Sequence, residues 1–265
     1  MNIVILCGGK GTRLREKTEE IPKPLVEIGG RPILWHVMKL YAHYGIQDFI
    51  LCLGYKGVQI KEYCVNSNTW RLSNFSLSTG GNGSKIRLLD SELERWNIAF
   101  IDTGLDTRTG GRVKRIQPYI KGDLFMATYA DGLADIDISA LLEFHKRHGR
   151  IATVTAVRPA SQFGIMQLNG DGRVAEFVEK PRLNEWVNGG FFVFDYRFFD
   201  YLEENSVLEQ EPLERLAQEG EIMAYRHEGF WACMDTYKDT ATLNSLWRSH
   251  QAPWEMWSLM PERQP

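Results

Sequence analysis

The sequence predicts an α/β fold, a doubly wound mixed sheet with a small β-rich insertion. Three observations support this prediction. Short apolar runs rich in β-branched residues recur along the chain, as expected of strands buried on both faces. Segments with helical spacing separate several of these runs, which provides the length that a crossover between parallel strands needs. The 265 residues, of which 43% are hydrophobic and 25% charged, are enough to bury the core of such a fold.

The individual elements follow from apolar periodicity and from the residues at their ends. Predicted strands cover residues 2–6, 48–55, 98–104, 124–129, 151–157, 165–168, 174–178 and 191–195. Predicted helices cover residues 32–41, 58–65, a segment opening at 110, 139–148, 212–219 and 237–250. The Asn-Gly-Asp-Gly turn at 169–172 joins two of the strands into a hairpin.

Two segments lie outside this pattern. Residues 66–97 are rich in loop-forming residues and poor in apolar ones, so we expect an excursion from the core that can carry intersubunit contacts. The tail at 251–265 carries Trp254 and Trp257, which we expect to dock on the body or on a neighbouring subunit. Otherwise we expect a single domain over residues 1–265.

Composition limits the classes of partner. A net charge of −3 gives no reason to expect nucleic acid or a membrane surface as a partner. The four cysteines show neither metal-ligand nor disulfide-framework spacing, so reduced thiols in a cytoplasmic compartment are expected. The N-terminus enters a strand without a signal-peptide pattern, and no apolar run reaches the length of a membrane span.

The stretch after the first strand has the composition of a phosphate-binding loop. Residues 6–14 are Leu-Cys-Gly-Gly-Lys-Gly-Thr-Arg-Leu, and Lys23 follows between two prolines. Glycines let the backbone approach a ligand closely, and successive backbone N–H groups form a concavity for anions. Arg13 and Lys23 add two cations that can meet phosphate oxygens. The alternative is a glycine turn that only reverses the chain, which Gly11, Arg13 and the Pro-Lys-Pro sequence make less favourable.

Two commoner phosphate loops do not match this stretch. The dinucleotide fingerprint requires a glycine where Leu14 stands. The Walker loop requires Gly-Lys-Ser/Thr, whereas Lys10 is followed by Gly11. A generic NAD-binding domain is therefore not expected.

Two aspartates are candidate magnesium ligands. Asp131 comes just after the strand at 124–129, which is where ligands bind in open α/β sheets. Mg²⁺ takes one or two carboxylates together with phosphate oxygens and water, and Asp235 ahead of the last helix is the second candidate. Each aspartate can instead be a turn or helix N-cap residue, and Asp135 and Asp137 are nearby alternatives.

The glycine loop and the Pro-Lys-Pro sequence together resemble the signature of the sugar-phosphate nucleotidylyltransferases. The similarity covers nearly the whole chain and is weakest at 66–97. Longer matches bring the sequence nearest to the branch of this family that transfers a cytidylyl group from CTP to glucose 1-phosphate; these matches lie at 27–36, 109–112 and 188–193.

The resemblance implies an organisation and a set of site residues. It implies a Rossmann-like nucleotide-binding part at about 1–135, a sugar-phosphate-binding part at about 136–250, and a homo-oligomer. The implied catalytic residues are Arg13, Lys23, Asp131 and Lys180, with Mg²⁺ held by Asp131 and Asp235. The implied nucleotide-binding residues are Leu6, Gly8, Gly9, Lys10, Gly11, Thr12, Thr103, Gly104, Thr109, Gly111 and Arg112. The implied sugar-phosphate-binding residues are Gly164, Glu179, Lys180, Asn188, Gly189 and Trp231.

From the residues alone, several of these positions have ordinary explanations. Lys180 precedes Pro181, which favours extended geometry at Lys180, and an exposed lysine before a turn is the alternative to a ligand. Without the resemblance, the Asn-Gly-Gly sequence at 188–190 indicates only a turn that enters a strand.

The implied reaction is the Mg²⁺-dependent in-line transfer of a cytidylyl group to a sugar 1-phosphate, with release of pyrophosphate. The attacking phosphate is already anionic near neutral pH, so the reaction needs no general base. UTP or dTTP as donor, and another sugar or non-sugar phosphate as acceptor, remain alternatives. Cys7, where relatives often carry alanine, and Ala130, where the nearest branch often has glycine, leave the choice of base open. A non-catalytic nucleotide-sugar-binding subunit is the alternative from a different class.

Overall fold

The computed structural model describes residues 1–14, 18–66, 75–78, 85–88 and 96–258, and it has the predicted α/β fold. Its strands are β1 (Asn2–Leu6), β2 (Glu27–Ile28), β3 (Arg31–Pro32), β4 (Asp48–Leu53), β5 (Phe75–Ser78), β6 (Lys85–Leu88), β7 (Asn97–Asp102), β8 (Leu124–Tyr129), β9 (Gly132–Ala134), β10 (Ala152–Val157), β11 (Ile165–Leu168), β12 (Val174–Val178), β13 (Val187–Asp195), β14 (Ile222–Arg226) and β15 (Trp231–Cys233). Its helices are α1 (Ile33–His43), α2 (Gly57–Asn66), α3 (Thr109–Arg115), α4 (Ile138–His148), α5 (Glu211–Gln218) and α6 (Tyr237–Arg248).

A seven-stranded sheet in the order β14-β10-β13-β8-β1-β4-β7 organises the molecule. All neighbouring pairs are parallel except the two that involve β13, which is antiparallel to both β8 and β10. The carboxyl ends of the six parallel strands therefore meet at one edge, together with the start of β13. Ligands of open α/β sheets bind at this edge.

Two hydrophobic cores cover the two faces of the sheet, as a doubly wound fold requires. Alternation along β1 sends Ile3 and Ile5 into one core and Val4 into the other. The first core also contains buried residues of α1, α4 and α6, and the second contains buried residues of α3 and α5. This burial on both faces explains why the strands of the central sheet appear in the sequence as continuous apolar runs.

The structure contains several strands that the sequence pattern does not predict. Strand β14 is largely exposed, and β9 and β15 are three-residue strands that pair only with each other. Short or exposed strands carry little hydrophobic periodicity, so pattern analysis does not detect them. Strand β13 also begins at Val187, four residues before its predicted start at 191.

The hairpin of β11 and β12 projects from the sheet. Both strands are exposed along their whole length, and an antiparallel bridge between Ala160 and Arg182 pairs the two chain segments at the base of the hairpin. We call residues 161–181 the arm. Within the excursion at 66–97, β5 and β6 pair as an antiparallel hairpin, and residues 67–74, 79–84 and 89–95 lie outside the described part of the chain.

The beginning of the tail packs on the body, as expected. Trp254 is fully buried, stacks on Phe230 with ring centroids 5.5 Å apart, and donates its indole N–H to His36 Nδ1 at 3.3 Å. Residues 259–265 lie outside the described part. Among the helices of the described residues, none is long and apolar enough to cross a membrane.

Candidate active site

A cavity of about 300 Å³ opens at the carboxyl edge of the sheet, beside the ends of β1 and β8. Its walls combine the glycine loop, the Pro-Lys sequence, the start of α3 and the end of β8. The lining residues are Leu6, Cys7, Gly8, Gly9, Gly11, Lys23, Pro24, Thr107, Arg108, Thr109, Arg112, Tyr129, Ala130 and Asp131. Eight of the predicted nucleotide-side or catalytic residues thus lie around one space: Leu6, Gly8, Gly9, Gly11, Lys23, Thr109, Arg112 and Asp131.

The glycine loop is shaped by close packing from behind as well as by its own turn. Gly11 has a left-handed φ of +60°, and its carbonyl accepts hydrogen bonds from Leu14 N and from the Thr18 hydroxyl. A Cβ atom at Gly8 would lie 2.1 Å from the Arg112 guanidinium, so any other residue there would displace the guanidinium. The loop therefore presents its backbone to the cavity because an arginine fills the space behind it.

Arg112 connects three loops at this edge of the sheet. Its guanidinium is buried and donates to five oxygens, which belong to Gly8, Leu53, Thr103, Gly104 and Leu105. Burial lowers its pKa below the ordinary value for an arginine. The side chain is thus committed to protein acceptors on one side of the cavity, and its predicted contact with the nucleotide stays a prediction.

Thr103 and Gly104, the residues predicted beside the base, take part in the same hydrogen-bond network around Arg112. The Thr103 hydroxyl is fully buried and donates to Leu53 O at 2.6 Å. Gly104 has a φ of +90°, and its carbonyl accepts from Arg112 at 2.8 Å. Their geometry supports the loop, and among the described residues neither lines the cavity.

Three further loop residues lie at or beyond the rim. Lys10 is exposed and forms an ion pair with Asp106 at 2.9 Å. Thr12 is also exposed and begins a 3₁₀ turn, Thr12–Leu14. The backbone of Arg13 lies in that turn, and its side chain is outside the described part of the structure.

Three charged side chains converge next to the cavity. Lys23 Nζ lies 2.5 Å from Asp131 Oδ2 and 2.6 Å from Asp235 Oδ1. Burial disfavours the charged ammonium, but the two carboxylates outweigh this effect and raise the pKa of Lys23. The lysine is therefore a full cation between two carboxylates at neutral pH.

The backbone brings the two aspartates together although they are distant in sequence. Asp131 lies between β8 and β9, and β9 pairs with β15, which ends two residues before Asp235. The bond from Met234 N to Asp131 O, at 2.9 Å, extends this pairing as far as the site. The small β9–β15 sheet, which the sequence does not predict, is what places the second carboxylate.

The structure excludes one of the explanations that the sequence left open, a helix N-cap role for Asp235, while Asp131 lies in a turn. Thr236, not Asp235, is the N-cap of α6, and it forms a capping box with Asp239. Asp137 is the N-cap of α4, where its carboxylate accepts from Ala140 N at 2.9 Å. Asp135 lies 3.0 Å from His227 Nε2. Asp131 and Asp235 are thus the carboxylates turned toward Lys23.

Cys233 adjoins this cluster and was not singled out by its spacing in the sequence. One ligand atom from each of Asp131, Cys233 and Asp235 lies within 4.8 Å of the others. Burial, and then the nearby carboxylate of Asp131, raise the pKa of the Cys233 thiol. A neutral thiol is a poor ligand for Mg²⁺, which prefers oxygen, so the two carboxylates remain the candidate ligands.

Glu209 and Tyr129 form a second network at the cavity wall. Glu209 accepts hydrogen bonds from the hydroxyls of Thr109, at 2.7 Å, and Tyr129. Burial and the Glu209 charge raise the pKa of Tyr129, which keeps its hydroxyl protonated as a donor. The position of Tyr129 at the end of β8 could have indicated it. Glu209 comes from a loop 80 residues further on, and no sequence signal links it to the cavity.

Gly111, the predicted glycine of α3, packs against the loop at 203–210. Gly111 N donates to Ser206 O at 3.0 Å, and a Cβ atom at Gly111 would lie 2.2 Å from Glu204 O. Gly111 thus lets the loop at 203–210 approach α3 closely, and within the described residues it is absent from the cavity wall.

The predicted sugar-side residues fall into two groups. Asn188, Gly189 and Trp231 lie on the body, where Asn188 Nδ2 approaches the hydroxyl of the cavity residue Tyr129 at 3.5 Å and the Trp231 indole donates to Gly189 O at 2.7 Å. Gly164, Glu179 and Lys180 lie on the exposed arm, and in the described part of the chain none of them lines the cavity.

The expected extended geometry of Lys180 is wrong. Its φ is +48°, a left-handed conformation, and its ammonium lies 3.1 Å from the carboxylate of Glu179. Pro181 disfavours the right-handed helical region for its neighbour, and Lys180 adopts the left-handed region in place of the extended one. Lys180 is therefore placed by a tight turn at the base of the arm rather than by a straight strand.

The fold and the site together define a class of protein: an α/β protein with a glycine loop and a carboxylate pair at the carboxyl edge of its sheet. A family model described as nucleotidyl transferase matches residues 2–253. The chain therefore belongs to the nucleotidyl transferase family.

Similar proteins agree with this assignment. The chain is 46% identical over 261 residues to a probable glucose-1-phosphate cytidylyltransferase of Bacillus subtilis, covering 97% of this chain and 100% of the relative. It is 47% identical over 260 residues to glucose-1-phosphate cytidylyltransferase of Salmonella typhimurium, with the same coverage. The crystal structure of HddC from Yersinia pseudotuberculosis superposes with a TM-score of 0.68 at 23% identity, over 93% of this chain and 99% of that one, and is similar in fold.

Proposed function

We propose that the protein transfers the cytidylyl group of CTP to α-D-glucose 1-phosphate and forms CDP-glucose and pyrophosphate. The observation that carries this function is the convergence of Lys23, Asp131 and Asp235 beside a cavity lined by the glycine loop. Family membership supports nucleotidyl transfer, and the close similarity to cytidylyltransferases over the whole length of those relatives supports CTP and glucose 1-phosphate.

The carboxylate pair fits a divalent metal ion. Nucleotidyltransferases of this family generally use one. Two carboxylate oxygens, on Asp131 and Asp235, already converge on a single cation, the Lys23 ammonium. Mg²⁺ bound by one or two carboxylates completes its coordination with phosphate oxygens and water. We therefore assign Mg²⁺ to Asp131 and Asp235, where it would neutralise charge on the nucleotide phosphates.

The remaining residues position the two substrates. Backbone N–H groups of the glycine loop bind the nucleotide phosphates, and Arg13 stabilises the charge of the departing pyrophosphate. Lys23 bridges phosphates, and Lys180 binds the phosphate of the sugar phosphate. In the transfer, a phosphate oxygen of the sugar phosphate forms a bond to the α-phosphorus of CTP while the bond from that phosphorus to the β-phosphate oxygen breaks. The electron pair leaves with pyrophosphate, and no covalent enzyme intermediate is needed.

We also propose that the protein is a homo-oligomer in which a second copy covers the arm. Phe163, Leu168 and Phe177 are 76%, 63% and 60% exposed. A two-stranded hairpin with both faces in water is marginally stable on its own. Light scattering should give a mass above that of one chain, and Leu168→Glu should lower it, while a monomeric mass for the unchanged protein would refute the proposal.

The experiment that tests the function is pyrophosphate release with Mg²⁺ and glucose 1-phosphate, with CTP, UTP, dTTP, ATP and GTP in separate reactions. Release with CTP well above the others is expected. Release with UTP or dTTP instead would retain the mechanism and refute the base assignment. No release with any of the five would refute glucose 1-phosphate as the acceptor.

A further inference from the structure

The Lys23 ammonium occupies the position between two carboxylates that a metal ion would take. Its nitrogen is within 2.6 Å of an oxygen of each of Asp131 and Asp235. A lysine ammonium is a compact point charge, so it satisfies the carboxylates electrostatically in the way that a small cation does. Two carboxylates at this spacing cannot bind both cations between them, because the like charges would repel at close range.

Of the three groups, the lysine side chain is the one that can leave. Asp131 is held by the β8–β9 connection and by the bond from Met234 N to its carbonyl. The backbone N–H of Asp235 donates to Asp239 Oδ2 at 3.1 Å, within the capping box of α6. Lys23 has a fixed backbone in the 3₁₀ turn Lys23–Leu25, but its charge sits on a flexible four-carbon stem.

The cavity offers the ammonium an alternative set of anions when nucleotide binds. Lys23 lines the same cavity as Gly8, Gly9 and Gly11, whose backbone is expected to hold the phosphates. Asp131 lines this cavity as well, so the oxygens of a triphosphate bound there would compete with the carboxylates for the ammonium.

We propose that the Lys23 ammonium is an internal counter-ion for Asp131 and Asp235, and that a divalent ion enters between these carboxylates when the nucleotide phosphates draw the ammonium away. This inference rests on the proposed function, since it takes Asp131 and Asp235 as the metal ligands. Lys23 thereby acts as a positioning residue that couples metal binding to nucleotide binding. By linkage, nucleotide and metal each raise the affinity of the site for the other by the same factor.

The test is metal binding without nucleotide, with Mn²⁺ as the paramagnetic probe and the full chain as the sample. Free Mn²⁺ is measured by electron paramagnetic resonance during titration. Lys23→Met keeps the length of the side chain and removes its charge, so it should tighten Mn²⁺ binding by about 5- to 150-fold, the usual range of a coupling between two ligands. Lys146→Met, which removes an exposed lysine paired with Glu143 on α4, is the matched control and should leave the affinity unchanged.

A second measurement keeps the inference testable if Lys23→Met is less stable. Removing the ammonium leaves two carboxylates facing each other, so Mn²⁺ should raise the melting temperature of Lys23→Met, or of Lys23→Gln, more than that of the unchanged protein. The double variant Lys23→Met/Asp131→Asn should lose the tightened binding.

Equal or weaker Mn²⁺ binding by both lysine variants would overturn the inference, as would tight binding that survives Asp131→Asn. Failure of the proposed function looks different. It appears as a lack of pyrophosphate release by the unchanged protein, which this nucleotide-free titration does not involve.

Discussion

The two lysines with proposed roles in the reaction lie in opposite environments. The side chain of Lys23 is 12% exposed and is held between two carboxylates that come from separate elements of the fold. The side chain of Lys180 is 48% exposed and is paired only with its sequence neighbour Glu179 among the ion pairs described. The first is positioned by the central sheet and its edge, and the second by a turn at the base of the arm.

This contrast indicates that protein contacts fix the surroundings of Lys23 more completely than those of the Lys180 side chain. Around Lys23, the glycine loop, Arg112 and the β9–β15 pair hold the groups before any ligand binds. Around Lys180, the backbone is fixed by hydrogen bonds such as that from Ser161 N to Pro181 O, but the charged end reaches solvent. The proposed nucleotide half is thus held by protein contacts, whereas the charged end of Lys180 in the proposed sugar-phosphate half is exposed.

The largest expected effect on turnover is that of a substitution at Asp131, in the part of the site around Lys23. Asp131→Asn keeps the shape of the side chain and removes its charge, so kcat for pyrophosphate release should fall by roughly 10²- to 10³-fold. Asp137→Asn is the matched control, because asparagine caps a helix about as well as aspartate. Similar losses of kcat in the two variants would break the distinction between Asp131 and its neighbours.

Arg112→Lys tests the hydrogen bonds that Arg112 donates behind the glycine loop. Lysine offers three donors in place of the five contacts that Arg112 makes, and each buried acceptor left without a partner costs about 1–3 kcal/mol. Arg112→Lys should therefore lower the free energy of unfolding, measured in urea, several times more than Arg150→Lys does. The latter changes an exposed ion pair with Glu221 that is worth less than about 1 kcal/mol. Equal effects would show that Arg112 is not a structural clamp.

Lys180→Ala tests the proposed role of the arm in binding the sugar phosphate. Loss of a charge-assisted hydrogen bond should raise KM for the sugar phosphate by about 10- to 100-fold. The melting temperature should stay constant, because the side chain is exposed. Arg173→Ala removes another exposed cation of the arm and serves as the control. An equal rise in KM for CTP would contradict the assignment of Lys180 to the sugar-phosphate half.

The smallest expected effect at neutral pH is on stability, through the buried side chain of His36. Burial, with a smaller effect of the Arg31 charge, lowers the pKa of His36 to about 4. Its Nδ1 accepts from Trp254 and its Nε2 lies 2.9 Å from Ile28 O, so the neutral ring satisfies both partners.

Above pH 6.5 the ring is neutral in both the folded and the unfolded chain and adds no pH dependence. As the pH falls from 6.5 to about 4, only the unfolded chain binds the proton, so the free energy of unfolding should fall by about 1.4 kcal/mol per pH unit from this group. Urea unfolding followed by tryptophan fluorescence measures this slope. His36→Gln should reduce the slope more than the exposed control His250→Gln, and equal slopes would exclude His36 as its source.

Much of the fold could be predicted because burial on both faces produces a strong signal. The runs of β1, β4, β8 and β10 are continuous and apolar, and the helices between them have clear periodicity. The strands that were not predicted are short or exposed, and they include the β9–β15 pair that brings Asp235 to Asp131. Local pattern cannot reveal such a pair, because its stability comes from contacts between distant segments.

The residues of the candidate site also divide into those that the sequence indicates and those that only the structure reveals. The glycine loop and Lys23 are recognisable because glycine, proline and basic residues lie close together in the sequence. Glu209 is not, since it reaches the site from a loop 80 residues beyond Tyr129, and Cys233 is not, since a lone cysteine has no metal-ligand spacing. For Arg112, the resemblance implies a nucleotide contact, and the structure reveals five protein acceptors.

Residue type and short-range spacing were enough to predict the α/β class, which the structure confirms, and to indicate a phosphate-binding loop and two aspartates as candidates. Only the tertiary structure decided that Asp131 and Asp235 face one cation while Asp137 caps a helix, and that Lys180 stands in a left-handed turn. The physical reason is that a carboxylate has the same local preferences as a cap and as a ligand. Its role follows from the groups that folding brings within a few ångströms of it.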